Sequence, residues 1–218
     1  MNNKLSVFIA GDSTVQTYSR DEYPQAGWGQ FIDQYFIDFI QFHNHAIGGR
    51  SSKTFVEEGR LEKIKTELNS GDYLFIQMGH NDATVSRPER YTTPFGSYKE
   101  YLQKYVETAK EKNAIPILIT PVARLHYENK QFINDFPEYC IAMKQVAIDN
   151  DILLIDLMEE SLKYYQTLGY DRVLKYYMAS VNETDFTHFT ELGAKEISRI
   201  IALNIKKLPT KLSEYVVL

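Results

Sequence analysis

The sequence predicts a three-layer α/β/α sandwich built on a five-stranded parallel sheet. Five short apolar runs alternate with longer stretches of helical spacing along the 218 residues. The runs are continuously apolar, as expected for parallel strands that helices cover on both faces. No internal repeat or linker interrupts this alternation, so we expect one domain over residues 1–218. The predicted strands are residues 5–10, 39–43, 73–78, 115–120 and 152–155.

The helices are predicted between these strands. The first includes residues 29–35, and the second lies around residues 58–68, where Gly71 can end it. A third occupies residues 98–112, because Ser97 and Glu100 have the spacing of a capping box. The apolar positions that support the second helix are Leu61, Ile64 and Leu68, and those that support the third are Tyr98, Leu102, Tyr105 and Ala109.

Two further helices are expected in the second half of the chain. Asp135 can cap the fourth helix, with Pro137 in its first turn, and the last helix follows Thr190. The residues expected to be buried are Cys140, Met143 and Ala147 in one helix, and Ile197, Ile200, Ile201 and Ile205 in the other.

Composition narrows the possible partners and locations. The formal charge of −5 and the lack of a basic block argue against nucleic acid. No apolar stretch approaches the ~18 residues of a membrane span, and the one cysteine excludes an internal disulfide. Only residues 1–4 precede the first strand, so we expect no signal peptide and a cytoplasmic protein. The oligomeric state is left open.

Polar residues follow the predicted strands where each strand ends. Ser13 follows the first strand, Gly49 the second and Asn81 the third. The carboxyl ends of parallel strands meet at one edge of the sheet, where ligands bind in open α/β folds. Asp185 and His188 stand just before the last helix, in a loop that can reach the same edge. We therefore expect one active site at this edge.

These residue types suit acyl transfer. A serine hydroxyl needs a base within hydrogen-bond reach, and histidine has the pKa for that role. A carboxylate on the other ring nitrogen orients the imidazole. The backbone N–H groups of Ser13 and Gly49 and the amide of Asn81 can stabilise the oxyanion. The pattern predicts a serine esterase with Ser13, Asp185 and His188 as its catalytic residues.

The chain resembles the SGNH (GDSL-type) hydrolases over residues 5–205. The resemblance implies a flavodoxin-like SGNH hydrolase fold with no cofactor or metal. It assigns Ser13, Asp185 and His188 to the triad and Gly49 and Asn81 to the oxyanion hole. The blocks that carry it are Gly11-Asp12-Ser13-Thr14-Val15, Asn44-His45-Ala46-Ile47-Gly48-Gly49-Arg50-Ser51, Gly79-His80-Asn81-Asp82 and Asp185-Phe186-Thr187-His188.

Within this superfamily the chain is most similar to the rhamnogalacturonan acetylesterase group. That similarity implies removal of acetyl groups from a plant cell-wall polysaccharide such as rhamnogalacturonan, or from its oligosaccharides. The supporting segments, besides the first two blocks, are Gly27-Trp28-Gly29, Thr93-Pro94-Phe95-Gly96, Ile119-Thr120-Pro121-Val122-Ala123-Arg124 and Thr187-His188-Phe189.

Three residues are candidate substrate contacts. Arg50 can bind a galacturonate carboxylate or brace its loop, Trp28 can contact substrate or anchor the Ser13 loop, and His80 can line the site or order it. The irregular residues 86–96 can form the rim of the site. Two alternative functions are kept: a lipase or thioesterase, which needs an apolar acyl tunnel near Ser13, and a sugar-binding protein without catalysis.

Overall fold

Five parallel strands form the central sheet of the computed structural model, which describes residues 5–218. The strands are β1 (Leu5–Gly11), β2 (Ile40–Asn44), β3 (Tyr73–Gln77), β4 (Ile115–Ile119) and β5 (Leu153–Ile155). Their order across the sheet is β2-β1-β3-β4-β5, so the direction of winding reverses at β1. This confirms the predicted fold class. Residues 1–4, on which the expected location depends, lie outside the described part.

Helices cover both faces of this sheet. They are α1 (Ser52–Glu57), α2 (Arg60–Glu67), α3 (Lys99–Glu111), α4 (Pro137–Asn150), α5 (Leu157–Leu168), α6 (Tyr170–Leu174), α7 (Ala179–Asn182) and α8 (Glu191–Ile205). On one face α1 to α4 pack against one another, and on the other α8 packs against α5 and the turns that follow β1. All five residues of β3 are buried, which explains why the strand sequence is apolar without alternation.

The first predicted helix is wrong. Residues 29–35 belong to two 3-10 turns, Trp28–Gln30 and Ile32–Tyr35, and Phe31 between them has a non-helical ψ of 0°. Gly27 explains part of the difference, because a Cβ there would lie 2.3 Å from the backbone oxygen of Gln16. The chain folds back closely on the Ser13 turn, which a continuous helix would not allow.

The second predicted helix is divided in two. Gly59 has a φ of +74°, a left-handed conformation that ends α1 and precedes α2. The predicted burial of its apolar face at Leu61, Ile64 and Leu68 is confirmed. The helix ends at Leu68 rather than at Gly71, where the backbone already turns toward β3.

Both predicted cap residues of α3 and α4 act differently. Thr93 Oγ1 accepts a hydrogen bond from the Ser97 N–H at 3.2 Å, so Ser97 lies inside a turn that precedes α3. Asp135 does not cap α4; its carboxylate accepts from the His126 Nδ1 at 2.6 Å. An earlier local cap at Thr93 thus moves Ser97 into a preceding turn, whereas Asp135 is drawn away from α4 by His126.

The remaining expectations for α4 and α8 are confirmed. Thr190 Oγ1 accepts from the Gly193 N–H at the start of α8, and the four isoleucines are buried. Cys140 is buried in α4, and burial raises the pKa of its thiol to about 12. Among residues 5–218, no helix is both long and apolar enough to cross a bilayer.

Candidate active site

Ser13 lies in a tight turn directly after β1. The Asp12 carboxylate accepts from the backbone N–H of Thr14 at 2.9 Å and from its hydroxyl at 2.8 Å, which closes the turn. The Tyr18 hydroxyl donates to the Ser13 carbonyl oxygen at 2.8 Å. Ser13 itself is half-buried, so its hydroxyl is held by a rigid backbone and still reaches solvent.

Trp28 anchors this turn from the core, which is one of the two roles predicted for it. Its indole is 0% exposed, and its Nε1–H donates to the Gln77 side chain at 2.8 Å. Gln77 in turn donates to the Thr14 hydroxyl at 2.7 Å. The ring therefore links the chain after β1 to β3 from inside the core.

The loop before α8 brings Asp185 and His188 to the same edge. A short antiparallel pairing of Gln25–Ala26 with Phe189–Thr190 joins this loop to the segment that follows Ser13. Asp185 Oδ1 accepts from the backbone N–H groups of Thr187 and His188, both at 3.0 Å. The three-residue spacing therefore forms one turn that orients both side chains.

A hydrogen-bonded chain joins the three side chains. His188 Nδ1 lies 2.7 Å from Asp185 Oδ2, and His188 Nε2 lies 2.9 Å from Ser13 Oγ. An Nδ1–H that donates to the carboxylate leaves the Nε2 lone pair to accept the serine proton. Burial raises the pKa of Asp185, but the hydrogen bonds from His188 and Thr187 outweigh it and lower that pKa below its usual value. The Asp185 carboxylate is thus ionised at the pH at which His188 accepts and returns a proton.

Gly49 and Asn81 line the same cleft as Ser13 and His188. Gly49 has a φ of +79°, a conformation that favours glycine and turns the loop after β2. The Asn81 amide donates one hydrogen to the Arg50 carbonyl oxygen at 3.0 Å, which leaves the other for the cleft. The loops that carry the two candidate oxyanion donors are therefore tied to each other.

The buried Asp82 side chain also links the two loops that carry Gly49 and Asn81. Its buried carboxylate accepts from the Ser52 N–H at 3.0 Å and from the Thr92 hydroxyl at 2.8 Å. It thereby joins the start of α1 to the loop after β3. Burial raises the pKa of Asp82 to about 6 despite these donors. The contact fixes the backbone on either side of the candidate oxyanion hole.

His80 lines the cleft, and both His80 and Arg50 take the second of their predicted roles, which is to order the site. His80 is 3% exposed; its Nδ1 faces Asp12 at 3.2 Å and its Nε2–H donates to the Val122 carbonyl at 3.0 Å. The Arg50 guanidinium donates to the Gly48 carbonyl at 2.9 Å and pairs with Glu58 at 3.1 Å. Both side chains are therefore occupied by protein groups.

The cleft above Ser13 has a volume of about 470 Å³. The cleft is polar. Among the described residues that line it, Tyr18 is the only one of Phe, Tyr or Trp type, and none is Ala, Val, Leu, Ile, Met or Pro. Sequence reasoning missed Arg90 and Arg124, although both follow strand ends on this edge, β3 and β4, and Arg90 lies in the predicted rim. Within residues 5–218, no three His, Cys, Asp or Glu side chains are grouped as metal ligands.

Replacing Asn81 tests the oxyanion assignment. We expect Asn81→Ala to lower kcat on p-nitrophenyl acetate by about 10²–10³-fold, the usual loss for one donor. Asn81→Asp, of equal size but with a negative charge facing the oxyanion, should lose more. Thermal unfolding of each variant controls for the lost bond to Arg50. A folded Asn81→Asp variant with near wild-type kcat would contradict the assignment.

The comparisons with known proteins agree with this geometry. Residues 7–201 match the GDSL-like lipase/acylhydrolase family. The chain is 54% identical over 211 residues, 97% of each protein, to the probable rhamnogalacturonan acetylesterase YesY of Bacillus subtilis (strain 168). It is 37% identical over 227 residues to rhamnogalacturonan acetylesterase RhgT of the same organism, which covers 100% of this chain and 96% of RhgT.

Solved structures share the fold. Protein YxiM of Bacillus subtilis superposes with a TM-score of 0.86 at 28% identity, over 95% of this chain and 58% of that one, so this chain spans little more than half of its length. Axe2, an acetylxylan esterase from Geobacillus stearothermophilus, superposes with a TM-score of 0.68 at 15% identity, over 92% of this chain and 94% of Axe2. At that identity the likeness shows the fold alone. From the match over residues 7–201 and these full-length relatives, the chain belongs to the GDSL-like lipase/acylhydrolase family.

Proposed function

We propose that this protein is a carbohydrate acetylesterase that removes acetyl groups from rhamnogalacturonan or its oligosaccharides. The observation that carries the chemistry is the chain of hydrogen bonds from Asp185 through His188 to Ser13 Oγ, 2.7 and 2.9 Å long. The substrate is inferred from two relatives matched over almost their full length, both named for this activity.

The reaction proceeds in two steps. Ser13 Oγ attacks the acetyl carbonyl carbon as His188 Nε2 takes its proton, and the oxyanion accepts from the N–H groups of Ser13 and Gly49 and the Asn81 amide. His188 then gives this proton to the departing sugar oxygen as the bond between that oxygen and the acetyl carbon breaks, which releases the sugar with a free hydroxyl. Water, deprotonated by His188, attacks the acetyl-serine, which releases acetate and restores Ser13. Asp185 stabilises the imidazolium in both steps.

The cleft favours a sugar ester over a lipid. A long acyl chain needs an apolar channel, and the residues that line the cleft are polar, charged or glycine apart from Tyr18. A binding protein without catalysis would have no use for a half-buried serine aligned with a histidine and a carboxylate. The lipase, thioesterase and sugar-binding alternatives therefore lack an observation in their favour.

Acetate release tests the proposed substrate. We expect faster release from acetylated rhamnogalacturonan than from acetylated xylan, measured at equal acetyl content. Across p-nitrophenyl esters, kcat/KM should fall as the acyl chain lengthens beyond a few carbons, since no apolar channel would hold it. A preference for eight carbons or more would contradict the proposal, and so would equal or faster release from xylan.

We also propose that residues 1–218 work as one catalytic domain. The supporting observation is that Ser13 and His188, 175 residues apart in the chain, are in hydrogen-bond contact on one sheet edge. The cytoplasmic location stays a prediction.

A further inference from the structure

Among residues 5–218, two arginines of the catalytic cleft make no hydrogen bond or salt bridge to the protein through their side chains. Arg90 and Arg124 both line the cleft that contains Ser13 and His188. Within residues 5–218, the Nε atom of each is buried and makes no hydrogen bond. Neither guanidinium lies within 4.0 Å of a carboxylate in that described part of the chain. A buried donor without a partner is destabilising, so two of them in one cleft indicate a ligand that accepts their hydrogen bonds.

Three other arginines of the chain are paired. Arg50 and Arg60 both contact Glu58, and Arg199 contacts Glu196. These pairs lie outside the cleft lining. The acidic composition, with a formal charge of −5, offers many possible partners. Three more arginines have no salt bridge among residues 5–218, but they are exposed, so water satisfies their donors: Arg20, Arg87 and Arg172. What distinguishes Arg90 and Arg124 is therefore a buried Nε without a partner, in the cleft that contains the nucleophile.

The surrounding contacts hold both groups beside the reacting atoms. Arg90 Nη1 would lie 3.8 Å from a Cβ placed on Gly49, so it reaches the glycine of the oxyanion hole. The Arg124 guanidinium packs on the Phe136 ring with 4.8 Å between Cζ and the ring centroid. Phe136 also packs edge-to-face on His80 at 4.8 Å, below the Ser13 turn. Stacking of this kind restricts the rotation of a long side chain and preorganises it.

We propose that Arg90 and Arg124 form a carboxylate subsite for a galacturonate residue of the substrate chain. The proposal rests on the proposed function. Guanidinium is planar and matches a carboxylate with two parallel N–H donors, and a partly desolvated cleft strengthens such bonds. The exposed Glu22 on the rim is the one carboxylate that lines the cleft among the described residues, so the two cations outnumber it. The role first considered for Arg50 is thus taken by these two residues.

The subsite can be tested on both partners of the contact. Wild type, Arg90→Gln, Arg124→Gln and the double variant are assayed on acetylated rhamnogalacturonan oligosaccharides, and on the same oligosaccharides with galacturonate reduced to galactose. We expect carboxyl reduction to lower the wild-type kcat/KM by about 10–100-fold, mainly through KM. Each variant should lose about 10-fold on the native substrate. The double variant should no longer distinguish the two substrates.

Matched controls separate the subsite from a general effect of charge or folding. Arg87→Gln removes the same charge from the same loop at an exposed position outside the cleft, and should keep the wild-type preference for the native substrate. Arg124→Lys keeps the charge without the planar pair of donors, and its preference should be intermediate. The comparison of substrates in wild type needs no variant, so it tests whether the galacturonate carboxylate is recognised even where a variant does not fold.

Two results would overturn these ideas, and they differ. Equal wild-type kcat/KM on native and carboxyl-reduced substrates would overturn the subsite and leave the acetylesterase function standing. A double variant that keeps the wild-type preference would do the same. Wild type that hydrolyses p-nitrophenyl acetate but neither oligosaccharide would overturn the proposed function, and the galacturonate ligand with it.

Discussion

Ser13→Ala should lower kcat on acetylated substrates by about 10⁵–10⁶-fold, the scale at which loss of a catalytic serine leaves only the binding site and oxyanion donors. The expected cause is loss of the acyl-enzyme, because no other hydroxyl is in contact with His188 Nε2 among the bonds of the described residues. Acetate release and p-nitrophenyl acetate hydrolysis measure the effect. Electrospray mass spectrometry of a rapidly quenched wild-type reaction should show an added acetyl group, and the variant should show none.

The fold of Ser13→Ala should be intact. The backbone of the turn is held by Asp12, Tyr18 and Thr14, whose bonds do not involve the Ser13 hydroxyl. Thermal unfolding should therefore match wild type closely. Ser70→Ala, at an exposed turn before β3, is the matched control and should keep full activity. Turnover by Ser13→Ala within 100-fold of wild type would show that another residue is the nucleophile.

Asp185→Asn should lower kcat by about 10⁴-fold with little change in KM, as in other Ser-His-Asp sites. In wild type, Asp185 Oδ2 accepts from His188 Nδ1 at 2.7 Å, which fixes the tautomer that can take the serine proton. An amide nitrogen in that place donates, so Nδ1 must accept and Nε2 carries the proton. The variant histidine then has no lone pair for Ser13.

Steady-state kinetics with a matched control distinguish this effect from misfolding. The amide oxygen introduced by Asp185→Asn can still accept from the N–H groups of Thr187 and His188, which Asp185 Oδ1 does in wild type. Asp21→Asn, at an exposed position, is the control and should retain wild-type kcat. A loss smaller than 10-fold in Asp185→Asn would show that Asp185 does not orient the histidine.

The acid limb of stability follows from the same residue. Folding lowers the pKa of Asp185, so the folded state holds fewer protons there than the unfolded state. Its contribution to stability is complete above the unfolded pKa of about 3.9 and is lost as the pH falls through the folded value. Asp185→Asn should therefore flatten the loss of stability below about pH 4 in denaturant titrations.

Much of the fold could be predicted from the pattern of residues. The inner strands β1, β3 and β4 could be predicted because strands buried on both faces are apolar almost throughout, and this property is local. The edge strands β2 and β5 are less buried, and they were predicted from shorter apolar runs. The first predicted helix is wrong, because Gly27 and Gly29 lie against the backbone of Val15 and Gln16, a contact between segments that spacing does not reveal. The predicted cap of α4 is wrong for a similar reason, because His126 binds Asp135. The predicted cap of α3 is wrong for a local reason, because Thr93 begins an extra turn that includes Ser97.

The site divides along the same line. Order along the chain placed Ser13, Gly49 and Asn81 at one sheet edge, because parallel strands all end on the same side and topology needs no coordinates. Which charged side chains are left without a polar partner in the cleft depended on pairing through space. Arg50 lies beside Gly49 in sequence but binds Glu58, whereas Arg90 and Arg124, from distant loops, face the cleft without a polar partner among the described residues. The partner of a long charged side chain depends on which groups lie within a few ångströms of it, and those distances are set only by the folded structure.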